Sequence, residues 1–279
     1  MKYIDLHTHS SVSDGSDSPR ALVEKAAAAA LAAIAVTDHD SVGGVAEAME
    51  AGRELGVEVV PGIEVSSDYL ENNVHILGYF IDPAAEELRP VLDWAANERN
   101  ERNEKIAANL AAAGYDISIE ALREAYPGAV LGRPHFCEYL FKKGHISSVK
   151  EGFDTLLGTG KPFYLPKRRI SIERAVEVIR AAGGVPVLAH PVMYGYDREG
   201  IGRLFDTVAA LEIRHVEALY SENSPEDEAW LLAECRRRGF GITGGSDYHG
   251  SRKPWIELGR GKGNLRVPYV LLEDLKKAR

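Results

Sequence analysis

The chain has 279 residues, enough for one large core or one core with a small subdomain, since single cores stop growing near ~250–300 residues. With 45% hydrophobic residues, 27% charged residues and two cysteines, the composition argues against a disordered chain, a membrane protein and a disulfide scaffold. A net charge of −9 repels extended polyanions, which argues against long-range tracking along nucleic acid and leaves short anionic ligands open.

Apolar, strand-like runs at Tyr3–Leu6, Ala33–Val36, Val57–Val60, Val74–Phe80, Val185–Ala189, Val216–Leu219 and Phe240–Thr243 alternate with helical patterns, which predicts an α/β fold. Ser18-Pro19 opens an alanine-rich helix; Ser171 precedes Ile172–Ala182, with Gly183-Gly184 after it; Ser224-Pro225-Glu226 opens Asp227–Arg238. The longest apolar stretch, Ala26 to Val36, is too short for a bilayer and too late for a signal peptide, so a cytoplasmic protein without membrane contact is expected. From about Pro90 to Tyr164 the alternation stops, and Trp94 to Ala113 reads as one polar-faced helix. The expected organisation is a barrel of residues 1–89 and 165–279 with a helical insert, 90–164, covering the substrate. Residues 131–169 hold eight Lys or Arg against three acids, a local excess of positive charge that a solvated surface would also explain. Cys137 and Cys235 have no metal-ligand spacing and read as inert thiols.

Six of the nine histidines sit in short blocks, most of them following a strand-like run: His7-Thr8-His9, Asp38-His39-Asp40, Val74-His75, Ala189-His190-Pro191 and Ser246-Asp247-Tyr248-His249. Neutral imidazole and ionised carboxylate suit first-row divalent metals. His7 and His9, two apart on a strand, project to one face. Asp14 lies in a turn just beyond them, and Glu64 follows Val59-Val60-Pro61-Gly62. In barrels of parallel strands the C-terminal ends converge on the catalytic face, so one pocket is expected to gather these groups.

These motifs, in this order over nearly the whole chain, resemble the PHP (polymerase and histidinol phosphatase) family. The resemblance implies a distorted, TIM-like (β/α)7 barrel with two to three divalent ions. It would place His7, His9, Glu64 and Asp247 on one ion, Asp14, His39 and His249 on a second, and Glu64, His75 and His190 on a third. Asp14, where some members have histidine, tilts the expectation toward Mn2+, with Fe2+ or Zn2+ as alternatives. Ser13-Asp14-Gly15, Gly132-Arg133-Pro134-His135, Lys161-Pro162-Phe163-Tyr164 and Gly259-Arg260-Gly261-Lys262-Gly263-Asn264 resemble the branch of nucleoside 3′,5′-bisphosphate phosphatases, some also 5′-to-3′ exoribonucleases on short RNA.

The expected activity is therefore removal of the 3′-phosphate from a nucleoside bisphosphate by a hydroxide shared between the ions. Arg99, Arg102, Arg133, His135 and Lys161 are expected to bind phosphate, and Asp247, His190 and His135 are the catalytic candidates. Arg99 and Arg102 share a helix face, although Glu98, Glu101 and Glu104 offer ordinary pairing. Asp38 and Asp40 are expected to orient His39. Tyr194 and Tyr196 either stack on a base or pack. His145 reads as a surface residue, and His215 as part of the stability face. The rival readings are a histidinol-phosphate phosphatase, a non-catalytic metal-binding module, and another metallohydrolase such as an amidohydrolase.

Overall fold

A computed structural model of the chain describes residues 2–70 and 72–279. In chain order it holds β1 (Tyr3–Asp5), α1 (Pro19–Ala28), β2 (Ala33–Val36), α2 (Val45–Leu55), β3 (Glu58–Tyr69) and β4 (Asn72–Tyr79). Then come α3 (Leu88–Ala112), α4 (Ile119–Ala125), α5 (Arg133–Lys142) and α6 (Val149–Gly152), the last running into a π-turn at Phe153–Leu157. The remainder is β5 (Ile170–Ser171), α7 (Ile172–Ala181), β6 (Val185–Leu188), α8 (Arg198–Ala210), β7 (His215–Tyr220), α9 (Pro225–Arg238), β8 (Gly241–Gly245), β9 (Val267–Pro268) and α10 (Val270–Lys276). The helix starts follow local chemistry: the hydroxyls of Ser18, Ser171 and Ser224 accept the N–H groups of Ala21, Arg174 and Asp227, capping α1, α7 and α9.

The strands form one sheet in the order β8-β7-β6-β4-β3-β2-β1-β9. Leu6 N–H donates to Gly244 O at 3.2 Å, and Asp247 N–H to His7 O at 2.9 Å, so the last long strand meets the first and the sheet nearly closes. Alternate residues Ile4 and Leu6, Ala33 and Ala35, Leu77 and Tyr79, and Val185 and Val187 share one buried cluster with Leu272 and Leu275 of α10. Strands β1 and β6 are not neighbours, so side chains from both can meet only inside the barrel. This is the expected distorted TIM-like barrel, with one departure from a repeated strand–helix unit. β3 continues past Gly62 and turns directly into β4, which runs antiparallel to both β3 and β6.

Between β4 and β5 the chain makes a second core, in which Ile106 and Leu110 of α3 pack on Leu122, Phe136, Leu140 and Leu157. The buried stripe of α3 steps by three or four residues through Leu88, Val91, Ala95, Arg99, Asn103, Ile106 and Leu110. Arg99 and Asn103 are its polar members, and they mark where the helix passes over the barrel mouth. No described helix is long and apolar enough to cross a membrane.

Candidate active site

Nine side chains from six stretches of chain meet at one end of the barrel. His7 and His9 follow β1, Asp14 lies on the loop beyond, His39 follows β2, His190 follows β6, and Asp247 and His249 follow β8. Glu64 and His75 come instead from within the β3–β4 hairpin, where Ser66 pairs with His75 and Glu64 with Leu77. Because β4 is antiparallel, its beginning lies at the face where the parallel strands end.

Glu64 is the hub. Its Oε1 stands 2.7 Å from His75 Nδ1 and 2.9 Å from His190 Nε2. Its Oε2 is 3.3 Å from His7 Nε2, 3.2 Å from His9 Nε2 and 2.9 Å from His39 Nδ1. Asp247 Oδ1 lies 3.1 Å from His9 Nε2, and Asp14 Oδ1 lies 3.2 Å from His249 Nε2. Four overlapping groups of candidate ligand atoms, each within 4.8 Å of one another, draw on these nine residues.

Whether divalent ions fit can be judged from the polar atoms themselves. His7 Nε2, both ring nitrogens of His9, Asp14 Oδ1, His39 Nδ1, Glu64 Oε2 and His190 Nδ1 are buried without a hydrogen-bond partner. Such groups are costly unless something satisfies them, and a mixed imidazole and carboxylate set suits a first-row divalent cation. The residues fit the group.

The orienting contacts differ in part from expectation. His7 Nδ1 is 3.0 and 3.1 Å from the two oxygens of Glu217, which also accepts the His190 N–H at 2.9 Å. Tyr220 Oη and Lys253 Nζ donate to Asp247 Oδ2 at 2.8 and 2.7 Å. Asp38 does not orient His39: it accepts from Ser10 N–H, Ser10 Oγ and Ser13 Oγ, tying down the loop that carries Asp14. Nor does Asp40, whose Oδ1 accepts Ser66 N–H and whose Oδ2 accepts Arg99 and Lys167. Tyr194 accepts His75 N–H at 2.9 Å and donates to Ala189 O at 2.8 Å, so its hydroxyl clamps two strands. Tyr196 donates to Tyr69 O and packs against that ring.

Beside this cluster opens a cavity of about 460 Å³. Asp14, His39, His75 and His190 lie on one side, and Arg99, Arg102, Arg133, Lys167 and Arg169 supply five cations to the rest of the lining. Of the expected phosphate ligands, Arg99, Arg102 and Arg133 are there. Lys161 is not: it stands exposed on the turn after Gly158, while Lys167, at the return into the barrel, takes a place in the wall. Arg102 and Arg133 are half-buried, and neither has a carboxylate within 4 Å among the described residues. Burial, then the neighbouring Arg133 and Arg99, push Arg102 down to about 10, which leaves it charged at neutral pH.

His135 is also displaced from its expected role. It is buried in α5 behind the cavity wall, its Nδ1 accepts Gly132 N–H at 3.0 Å, and its ring meets Tyr126 edge-on. It caps a helix. Burial and the nearby Arg252 push its pKa down to about 4 from 6.5. The unfolded chain therefore binds a proton here that the folded chain refuses, and the resulting stability, complete above about 6.5, is lost as pH falls toward 4. His135→Phe is expected to shrink the drop in Tm between about pH 7 and about pH 4.5 measured by calorimetry; an equal drop in both proteins would exclude this contribution. His145 is exposed and accepts Asp116 N–H, and His215 lies buried at the start of β7, away from the ligands.

A family model for the PHP domain matches residues 5–158. A 3′,5′-nucleoside bisphosphate phosphatase of Chromobacterium violaceum is 36% identical over 89% of this chain and 88% of its own. The 5′-3′ exoribonuclease Rnm of Escherichia coli is 33% identical over 92% of this chain and 88% of its own. A crystal structure described as a metal-dependent phosphoesterase of Bifidobacterium adolescentis superposes with a TM-score of 0.88 at 26% identity, covering 98% of this chain and 95% of the other. A nearly closed barrel, a His and carboxylate cluster fit for divalent ions, and these relatives agree: the chain is a metal-dependent phosphoesterase, a hydrolase of phosphoester bonds, and it belongs to the PHP domain family.

Proposed function

We propose that this enzyme removes the 3′-phosphate from nucleoside 3′,5′-bisphosphates and, by the same use of the site, degrades short RNA from its 5′ end. The observation that carries this reading is the pair Arg102 and Arg133, two half-buried guanidiniums without a carboxylate partner among the described residues, in the same cavity as the histidine and carboxylate cluster. A substrate with two phosphates satisfies both walls. A phosphate held by the arginines positions the other at the cluster, and binding energy from the non-reacting group then lowers the barrier at the reacting one.

His7, His9, Glu64 and Asp247 would hold one ion, Asp14, His39 and His249 a second, and Glu64, His75 and His190 a third. The chemistry such ions supply when bound is activation of water at neutral pH and stabilisation of charge on phosphoryl oxygens; manganese is the metal we favour for this donor set. Glu217 holds His7 by Nδ1, which leaves its Nε2 facing the cluster. Lys253 and Tyr220 hold Asp247 by Oδ2 and leave Oδ1 toward His9. His190 Nε2 is engaged beside Glu64, so we assign His190 to holding an ion rather than to proton donation.

Histidinol phosphate fits less well, because its ammonium would meet Arg102 and Arg133, guanidiniums with no carboxylate within 4 Å among the described residues. A phosphate-release screen of adenosine 3′,5′-bisphosphate, adenosine 5′-monophosphate, short RNA and histidinol phosphate decides the matter. The bisphosphate is expected to exceed the monophosphate in kcat/KM by about tenfold or more, as one charged phosphate contact implies. A higher kcat/KM for histidinol phosphate would overturn the reading.

A further inference from the structure

The five cations of the cavity wall are not equally free. Arg99 Nη2 is 2.5 Å and Lys167 Nζ 2.8 Å from the same oxygen of Asp40, and both side chains are less than a tenth exposed. Arg102 donates to the neutral side-chain oxygen of Asn103, and Arg133 to the carbonyl of Leu157. Arg169 lies 3.5 Å from the half-exposed Asp68. One buried carboxylate thus occupies two cations that line the cavity. It does so from the loop after β2, gripping α3 and the segment before β5 at once.

Resting on the function proposed above, we infer that Asp40 is a specificity-determining positioning residue: by holding Arg99 and Lys167, it limits the non-reacting end of the substrate to a single phosphate. The charge balance gives the reason. A terminal monophosphate carries about two negative charges at neutral pH, matched by Arg102 and Arg133. A diphosphate in the same place needs further cations; of the three others in the lining, Arg169 faces Asp68, and the two that are buried, Arg99 and Lys167, are already paired with Asp40. To recruit them it must break buried, charge-assisted contacts and leave Asp40 buried without its partners, a costly state. A merely structural tie between α3 and the barrel would carry no such discrimination.

Asp40→Asn separates these roles with little disturbance. Asp40 has a φ of 48°, a conformation that asparagine tolerates. Its Oδ1 contact to Ser66 N–H at 2.8 Å can be kept by an amide oxygen, while the charge facing Arg99 and Lys167 is lost. The test measures Kd for adenosine 5′-monophosphate and adenosine 5′-diphosphate, neither of which carries a 3′-phosphate, on the metal-loaded enzyme by calorimetry. In D40N the diphosphate Kd is expected to fall on the order of tenfold, with the monophosphate changing less than about threefold. An unchanged ratio of the two Kd values in a folded D40N overturns the inference.

Should D40N not fold, Lys167→Met answers the same question, since a lysine held by Asp40 contributes little to the monophosphate. Its loss is expected to change that Kd by less than about threefold. A tenfold loss would show Lys167 gripping the phosphate itself and would also overturn the inference. Hydrolysis of adenosine 3′,5′-bisphosphate by the unmodified enzyme is measured alongside. If that fails, the proposed function falls; if it succeeds and the Kd ratio does not move, only the role of Asp40 does. A native enzyme that binds neither nucleotide overturns both.

Discussion

Glu64→Ala is expected to lose bound metal and phosphate release together, with kcat/KM falling by about a thousandfold or more, because metal-ion catalysis supplies several kcal/mol to such reactions. The carboxylate lies within 3.3 Å of five imidazoles, two at Oε1 and three at Oε2. No other acid of the cluster touches so many. Burial alone would raise its pKa, but His39, His75 and His7 hold it well below the usual carboxylate range, so Glu64 is ionised whenever the protein is folded near neutral pH. Elemental analysis of the purified variant and of the native enzyme is the direct check, with two to three equivalents expected in the latter. Glu217→Gln provides the contrast: it touches His7 from behind, and its loss should lower metal affinity or activity by about 10–100-fold. A Glu64→Ala protein that keeps its full metal complement would overturn the ligand assignment.

Arg133→Ala and Arg133→Lys are both expected to lower kcat/KM for adenosine 3′,5′-bisphosphate by about 10–100-fold, the value of a hydrogen bond to a charged group. Arg133 is fixed before any ligand arrives. It opens α5 ahead of Pro134, donates to Leu157 O at 3.2 Å and lies 5.1 Å from the centroid of the Tyr164 ring. The planar fork keeps further N–H groups for phosphate oxygens, and an ammonium cannot reproduce that geometry. Metal content should stay unchanged. On a small aryl phosphate the same substitutions should matter little, since nothing there occupies the arginine end of the cavity. Equal losses on both substrates would move Arg133 to the reacting phosphate.

The blocks of candidate ligands are legible in the sequence because each follows or lies within a strand-like run, so chemistry and position appear together; the structure brings all nine residues to one place. The direction of β4 was not legible. Val74–Phe80 reads as the same apolar strand whether it runs parallel or antiparallel, and Pro61-Gly62 looked like the end of a strand that in fact continues to Tyr69. Glu217 does leave a signal in the sequence: a carboxylate inside the apolar run Val216–Leu219 has to be paired once that strand is buried. Lys161 and Lys167 could not be told apart by composition. Only the path of the chain from the insert back to β5 decides which faces the cavity. Adjacency in sequence makes Asp40 a candidate partner of His39, whereas in the structure, at a positive φ, its carboxylate meets Ser66, Arg99 and Lys167.

The seam where Leu6 meets Gly244 and His7 meets Asp247 joins the first strand to the last long one. His7 and His9 stand on one side of it, Asp247 and His249 on the other, so an ion held by residues of both sides, as proposed above, would fasten residues about 240 positions apart. Joining distant residues removes freedom chiefly from the unfolded ensemble, more so for a long loop than for a short one, which is how a disulfide stabilises. A barrel with two cysteines buried apart and no disulfide would then have its clasp in the proposed metal site, and chelation should act on the cohesion of the whole fold as well as on turnover.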